Sequence, residues 1–280
     1  MKYKLIASDM DGTLVNDKSE LTERTKNAIL KALDTGVYFV TATGRPFSNA
    51  QVVNDLIKDK YNMPFIVFNG AAANMGQSGE LLFERFLDFD LAKEAFNIGQ
   101  ELGIAQILWT GPRLWANRIC DETNQYHSFC KGLDMTIVTN LDTIKDEVKG
   151  ISKVLWIDDP ARIKELFTKM RDHFGERIRC VSSMSHFLEF VSMEAGKGTA
   201  LAEIGKLLNI DKSEMIAVGD AYNDLCMIKY AGFGVAMENS PPEIKFESDY
   251  IAPSNNDDGV AEVIEKMLLW NSLHDAEQNA

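Results

Sequence analysis

Short apolar runs alternate with segments of helical periodicity over residues 4–70. Apolar runs lie at 4–8, 37–42 and 64–68. Between the first two, at 21–35, apolar residues recur every three or four positions. Short runs rich in β-branched and aromatic residues predict buried strands, and the periodic segment predicts an amphipathic helix. Strands that alternate with helices are typical of a parallel sheet. We therefore expect an α/β fold with a doubly wound parallel-sheet (Rossmann-like) core domain.

The alternation stops near residue 85 and resumes near residue 192. The intervening segment predicts an irregular order of elements, with helices at 92–102 and 161–174 and strands at 106–109, 177–182 and 187–191. Helices and strands alternate again afterwards, at 199–208, 215–218, 225–230, 233–236 and 259–270. We interpret 1–84 and 192–280 as the core domain and 85–191 as an inserted α+β cap domain. The last ten residues are polar, and we expect them to fray.

Candidate functional groups follow the predicted strands. They are Asp9-Met10-Asp11-Gly12-Thr13, Thr43-Gly44-Arg45, Asn69-Gly70 and Gly219-Asp220-Ala221-Tyr222-Asn223-Asp224. Open parallel sheets bind ligands outside the carboxyl ends of their strands, so these groups should converge on one edge. Two neighbouring carboxylates repel unless a partner joins them, and a divalent cation prefers such oxygen ligands. An ordinary acidic turn is the alternative interpretation, since Asp and Gly are common turn residues.

Two further polar groups could meet an anion. Lys197 stands in a glycine-rich segment just before a predicted helix, where an anion could bind at the helix N-terminus. The hydroxyl of Thr43 is a candidate donor to a phosphoryl oxygen. A solvated lysine and a plain strand-end turn are the alternatives. The segment is not a P-loop, because that motif requires Ser or Thr at the position of Gly198 and Gly at the position of Val191.

Composition limits the partners. The chain has 29 basic and 42 acidic residues, a formal net charge of −13, which argues against nucleic-acid binding. A small phosphorylated substrate remains compatible, since local cations can override the global field. No apolar run approaches the length of a membrane span, the first residues do not resemble a signal peptide, and the four cysteines are scattered. We therefore expect a cytoplasmic protein with reduced thiols and no membrane partner.

The four motifs, in this order, closely resemble those of the haloacid dehalogenase (HAD) superfamily of phosphohydrolases. They are Asp9-x-Asp11-Gly12-Thr13, Thr43-Gly44-Arg45, Lys197 and Gly219-Asp220-x-x-Asn223-Asp224. The insertion after Asn69-Gly70-Ala71 is similar in position to the C2-type cap of the Cof-type subfamily. The resemblance implies a Mg²⁺-dependent phosphatase acting on a small phosphorylated metabolite, with a sugar phosphate favoured, through an aspartyl-phosphate intermediate.

The resemblance also implies residue roles. Asp9 would be the nucleophile, and Asp11 would protonate the leaving oxygen and then activate water. Thr43 and Lys197 would hold the transferring phosphoryl group. The implied metal site consists of Asp9, Asp11 through its backbone carbonyl, and Asp220, with support from Asp224. The other groups expected at the phosphate or substrate are Gly12, Gly44, Arg45, Asn69 and Asn223.

Substrate choice is expected to reside in the cap, which in this superfamily closes over the site. Candidate substrate-contacting residues are Trp109, Arg113, Trp115, Arg118, His127 and His186. Tryptophans in the cap's own core and solvated arginines are the simpler interpretation. A sugar-phosphate mutase and a non-enzymatic phosphometabolite-binding protein remain alternative functions, and the sequence does not indicate the oligomeric state.

Overall fold

The computed structural model describes residues 1–130 and 132–278. The chain divides into two compact units. The core unit comprises Met1–Leu82 and the chain from Gly196 onward, and the cap unit comprises Phe83–Ala195. These boundaries lie two residues before and four residues after the ones expected from the sequence.

The secondary structure follows in chain order. The first part of the core unit contains β1 (Leu5–Ser8), α1 (Glu23–Asp34), β2 (Tyr38–Ala42), α2 (Val52–Ile57), β3 (Pro64–Val67) and β4 (Ala72–Met75), and β5 (Leu81–Glu84) crosses the boundary between the units. The cap unit contains α3 (Phe89–Glu101), β6 (Ala105–Thr110), β7 (Arg113–Ala116), α4 (Asp121–Phe129), β8 (Met135–Ile137), β9 (Lys153–Ile157), α5 (Pro160–Phe174), β10 (Arg179–Val181) and β11 (Phe187–Val191). The core unit continues with α6 (Lys197–Leu208), β12 (Met215–Gly219), α7 (Leu225–Tyr230), β13 (Phe233–Met237), α8 (Pro242–Phe246), β14 (Tyr250–Ala252) and α9 (Gly259–Gln278).

The core unit is built on a sheet of order β14-β13-β12-β1-β2-β3-β4-β5. All neighbouring pairs from β14 to β3 are parallel, and β4 runs antiparallel to β3. The chain adds β2 and β3 on one side of β1 and later adds β12, β13 and β14 on the other. This reversal of direction confirms the predicted doubly wound α/β core.

Buried strands and amphipathic helices hold this core together. All four residues of β1 are buried, as expected for a central parallel strand covered on both faces. Helix α1 buries the apolar stripe Ala28, Ile29, Ala32 and Leu33, and the Thr22 hydroxyl accepts the N–H of Thr25 at its N-cap.

The cap unit has a separate sheet of order β10-β11-β9-β6-β7-β8, in which only the β7–β8 pair is parallel among the described strands. Helices α3 and α5 bury Phe96 and Phe174 in one apolar cluster with Leu108, Trp156 and Phe190 from the strands. The Trp156 and Phe190 rings pack edge to face with centroids 4.7 Å apart.

Helix α9 differs from the prediction for the C-terminus. It continues to Gln278, whereas the sequence predicted an end at Trp270 and a frayed tail. The reason is a tertiary contact: the buried Asn271 amide accepts the N–H of Tyr3 at 2.7 Å and donates to the Tyr3 carbonyl at 2.8 Å. The last two residues of the predicted tail lie outside the described residues.

Several short elements were not predicted: β7, α4, β8, β9, α8 and β14. Helix α4 has few apolar residues and buries only Thr123 and Tyr126, so its periodicity is weak. Within the described ranges, no helix has both the length and the apolar character that crossing a membrane requires.

Candidate active site

The carboxyl ends of β1 and β12 form the centre of the site. These adjacent strands lie where the sheet order reverses direction, the position at which open α/β sheets bind ligands. Asp9 directly follows β1 and donates its N–H to the Val218 carbonyl of β12 at 2.9 Å. Asp220 directly follows β12, and the Thr13 hydroxyl donates to its Oδ1 at 2.7 Å. The two motifs farthest apart in the sequence are therefore joined.

Lys197 lies between two buried carboxylates. Its Nζ donates to Asp9 Oδ1 and, at 2.5 Å, to Asp224 Oδ1. Lys197 is the first residue of α6, so the helix begins two residues earlier than predicted. The Lys197 and Asp224 side chains are fully buried, and that of Asp9 is 8% exposed. Such buried charges are stable only when each has a partner.

Asp224 braces the loop that carries Asp220. Its Oδ2 accepts the N–H groups of Asp220 and Ala221 at 3.0 and 2.9 Å, while Oδ1 faces Lys197. Both of its carboxylate oxygens therefore have protein donors.

Crowding of negative charge changes the acidity of these groups. Burial, followed by the nearby Asp224 carboxylate, raises the pKa of Asp9 well above its usual value, although Lys197 opposes the shift. Burial and Asp224 also raise the pKa of Asp220, to about 6. Burial disfavours the charge on Lys197, but the carboxylates of Asp224 and Asp9 outweigh it and raise the pKa of Lys197.

The net charge of the buried acidic side chains and Lys197 indicates whether a metal ion fits among them. Asp9, Asp220 and Asp224 form an acidic cluster in which one oxygen of each lies within 4.8 Å of the others. With all three carboxylates ionised, the one ammonium of Lys197 leaves a surplus of two negative charges. A divalent cation would neutralise that surplus with oxygen ligands of the type Mg²⁺ prefers. The carboxylate of Asp11 is not a member of this cluster.

Asp11 is instead paired with Arg45. The guanidinium donates to both carboxylate oxygens, from Nε at 2.9 Å and from the terminal nitrogen at 2.5 Å, in the bidentate geometry typical of strong Arg–carboxylate pairs. A third donor of Arg45 reaches the Asn49 carbonyl at 3.3 Å. The side chains of Asp11 and Arg45 are 39% and 31% exposed, so this pair lies at the accessible side of the site.

Two glycines permit close approach at the sheet edge. Gly12 has a φ of +76°, and a Cβ there would lie 2.6 Å from Asp220 Oδ2. At Gly44 a Cβ would lie 3.1 Å from Asn69 Oδ1, and that oxygen accepts the amide of Asn223 at 3.0 Å. The structure thus brings Gly44, Asn69 and Asn223 together, next to the fully buried Thr43.

Comparison with known proteins identifies the family. Residues 6–264 match the model of the haloacid dehalogenase-like hydrolase family. YxeH of Bacillus subtilis, provisionally named a phosphatase, is 33% identical over 95% of this chain and 99% of its own. A crystal structure of a haloacid dehalogenase-like hydrolase from Bacteroides thetaiotaomicron, 28% identical, has a TM-score of 0.82 over 95% of this chain and all of the other.

The chain belongs to the haloacid dehalogenase-like hydrolase family. A further relative, the 5-amino-6-(5-phospho-D-ribitylamino)uracil phosphatase YwtE of B. subtilis, is 26% identical over 95% of this chain and 98% of its own. The protein is accordingly an enzyme of the phosphatase type, as the resemblance of the four motifs predicted.

One site residue of this HAD-like hydrolase was missed from the sequence. The side-chain amide of Asn239 donates to the Gly12 carbonyl at 2.8 Å and so supports the turn after β1. The available signal was its place just after β13, at the same carboxyl edge as the predicted motifs.

The candidate substrate-contacting residues of the cap unit have partners within that unit. Trp109 and Trp115 are buried, and their indole N–H groups donate to the hydroxyls of Tyr126 at 3.0 Å and Thr110 at 2.8 Å. Arg118 donates to the Gly103 carbonyl at 2.7 Å. His127 Nε2 lies 2.7 Å from the Leu133 carbonyl oxygen, the His186 ring packs against Phe187, and Arg113 is exposed. The two tryptophans therefore belong to the interior of the cap unit.

Proposed function

We propose that the protein is a Mg²⁺-dependent phosphatase that hydrolyses a small phosphorylated metabolite, a sugar phosphate, through an aspartyl-phosphate intermediate. The observation that carries the proposal is the acidic cluster with its surplus of two negative charges around Lys197. A carboxylate nucleophile repels a phosphate dianion, so it can approach phosphorus only when cations in the site cancel that repulsion.

Asp9 and Asp220 would hold the metal, with the Asp11 backbone carbonyl as a third protein ligand. Asp224 supports the site, because its oxygens already accept from Lys197 and from two backbone N–H groups. When bound, Mg²⁺ supplies positive charge that stabilises the transferring phosphoryl group.

The chemistry would proceed in two displacements. In the first, an Asp9 oxygen forms a bond to phosphorus while the bond to the leaving oxygen breaks, and the carboxyl proton of Asp11 passes to that oxygen. In the second, Asp11 accepts a proton from water as the water oxygen attacks phosphorus. The aspartyl–phosphate bond then breaks, releasing inorganic phosphate and restoring the Asp9 carboxylate.

Neighbouring groups would orient these steps. Lys197 holds Asp9 by a direct hydrogen bond, and its ammonium would bind a phosphoryl oxygen together with the Thr43 hydroxyl. The absence of a Cβ at Gly12 and at Gly44 lets the side chains of Asp220 and Asn69 approach the main chain there. Arg45 fixes the Asp11 carboxylate from two sides and supplies a cation at the accessible side of the site.

A polyhydroxylated leaving group is supported by one relative. The name of YwtE specifies a phosphorylated ribityl compound, and the identity of 26% extends over nearly the whole chain. A sugar phosphate shares that chemistry, since both present a phosphate ester on a hydroxylated carbon chain.

The deciding experiment measures phosphate release from a panel of sugar, polyol, nucleotide and cofactor phosphates, with Mg²⁺ and with chelator. We expect Mg²⁺-dependent release that falls about 10³-fold or more in Asp9→Asn, a loss typical of removing a nucleophile. Asp17→Asn is a matched control. The carboxylate of this exposed aspartate accepts hydrogen bonds from the side-chain amides of Asn255 and Asn256 and does not belong to the acidic cluster. It should retain wild-type turnover.

Other outcomes separate the alternatives. Transfer of phosphate to a second sugar hydroxyl, with little free phosphate, would indicate a mutase. Tight binding of phosphate esters without any turnover would indicate a binding protein. Substantial turnover in Asp9→Asn would refute the nucleophile assignment.

A further inference from the structure

Three consecutive residues after β3 have left-handed backbone conformations. Phe68, Asn69 and Gly70 have φ values of 50°, 56° and 91°. Asn and Gly tolerate this region, but a bulky residue such as Phe rarely adopts it. Phe68 and Asn69 are only 5% and 2% exposed. Strained backbone of this kind persists where surrounding contacts determine it, so its contacts indicate its role.

The segment is tied first to the loop after β2. The N–H of Asn69 donates to the Thr43 carbonyl at 3.0 Å, and the N–H of Phe68 donates to the Arg45 carbonyl at 3.1 Å. The Asn69 side chain lies against Gly44, where the absence of a Cβ makes room for it. The left-handed turn therefore sets the position of the Thr43 loop.

The same segment contacts the two remaining loops of the site. Asn69 Oδ1 accepts the side-chain amide of Asn223, which directly precedes a member of the acidic cluster. Gly70 packs against the main chain of Gly196 so closely that a Cβ would overlap it. Since Gly196 immediately precedes Lys197, this contact sets the start of α6.

We propose that Asn69 is a positioning residue, whose amide and left-handed turn fix the loops of Thr43, Lys197 and Asn223 relative to one another. This inference rests on the proposed phosphatase function and deepens it. It assigns Asn69 a different role from the direct phosphate contact expected from the sequence, because the amide oxygen of Asn69 faces Asn223.

A double-mutant cycle in the full-length protein tests this role. Asn69→Gly removes the amide but keeps the left-handed turn accessible, and Asn223→Ala removes its partner. We expect kcat to fall about tenfold in each single variant, the KM to change by less than about threefold, and the double variant to be no slower than either single variant. A rise in KM and in the inhibition constant of inorganic phosphate at unchanged kcat would overturn the proposal, as would independent effects that multiply in the double variant.

Asn209→Gly is the matched control. Asn209 is an exposed asparagine with a φ of 53°, and it ends α6 away from these loops. This variant should keep kcat within about twofold of wild type. A tenfold loss of kcat here as well would mean that any left-handed asparagine gives the effect, and would refute a specific role for Asn69.

Amide hydrogen exchange supplies a readout that needs no substrate. Asn69→Gly should accelerate exchange in peptides covering residues 43–45, 197–200 and 220–224, and Asn209→Gly should not. Unchanged exchange in all three peptides would refute the positioning role even in an active enzyme. If the wild-type protein hydrolyses no ester and Asn69→Gly still accelerates exchange, the proposed function is refuted and the positioning role stands.

Discussion

Lys197 is the residue on which the charge balance of the acidic cluster depends. Its ammonium donates to Asp9 and Asp224, and all three side chains are nearly inaccessible to solvent. A buried ion pair contributes little net stability compared with apolar packing, but removing one partner leaves uncompensated charge in the interior. The same residue is therefore expected to support folding as well as the proposed phosphate binding.

Replacing Lys197 should be costly without metal. In chelator, we expect Lys197→Met to lower the free energy of unfolding by about 3–5 kcal/mol, because Asp9 and Asp224 lose their shared cation. Lys206→Met on the same helix is the control, since its pair with Glu203 is largely exposed and should contribute less than about 1 kcal/mol. Urea denaturation measures both, and equal small effects would contradict the account.

Helices α6 and α7 interlock at their first turns, next to the acidic cluster. Gly198, the second residue of α6, donates its N–H to the Cys226 sulfur at 3.2 Å. Its Cα lies against the carbonyl group of Cys226, with no room for a side chain between them. The packing of one helix start on another thus places both Lys197 and Asp224.

A methyl group at Gly198 tests this interlock. Gly→Ala inside a helix ordinarily stabilises by about 0.5–1 kcal/mol, but here we expect Gly198→Ala to destabilise by about 1–3 kcal/mol through overpacking. Turnover should fall with it. Leu207→Ala, at an exposed position of the same helix, should change stability by less than about 0.5 kcal/mol. A stabilised, fully active Gly198→Ala variant would contradict the interlock.

A buried amide, that of Asn271, ties α9 to the N-terminal segment. Asn271→Ala leaves the N–H and carbonyl of Tyr3 without their partner, so we expect a loss of about 2 kcal/mol in the free energy of unfolding. The neighbouring Ser272→Ala removes a bond to the Leu268 carbonyl within the helix and should be nearly neutral. Denaturant midpoints compare the two variants, and a neutral Asn271→Ala would refute the docking role of this amide.

At the scale of the whole molecule, Asp220 in the site and the carboxylates elsewhere make the stability of the fold change with pH in opposite directions. Many carboxylates outside the site, such as Glu262 and Glu265, have pKa values lowered by hydrogen bonds to Lys266 and Arg24, so they favour folding as pH rises. Asp220 does the reverse. Its pKa is raised from 3.8 to about 6, so the folded state binds the proton more tightly and loses stability as pH rises through that interval.

The raised pKa of Asp220 predicts that the difference in stability between the wild type and Asp220→Asn changes with pH. In chelator, the wild type should lose stability relative to Asp220→Asn between about pH 4 and pH 6, by at most about 3 kcal/mol. The asparagine cannot ionise, and its amide oxygen can still accept from Thr13. Thermal unfolding midpoints across this range provide the measurement. A difference that is constant with pH, or that grows in favour of the wild type, would contradict the assigned shift.

The sequence alone determined the core fold and which residues stand at its carboxyl edge. Strand and helix periodicity are local properties, and a parallel sheet carries its ligand groups at strand ends, so Asp9, Thr43, Asn69 and Asp220 could be placed on one edge. The cap sheet was only partly predicted, since elements such as α4 have weak periodicity and depend on tertiary burial.

Only the tertiary structure decided which of these side chains are partners. Lys197 joins Asp9 across 188 residues of sequence and Asp224 across 27. The bidentate hold of Arg45 on Asp11 and the docking of α9 on Tyr3 are likewise contacts between distant segments. Such contacts follow from sheet order and helix packing, which no local pattern specifies, and they set the charge balance from which the metal site and the chemistry are inferred.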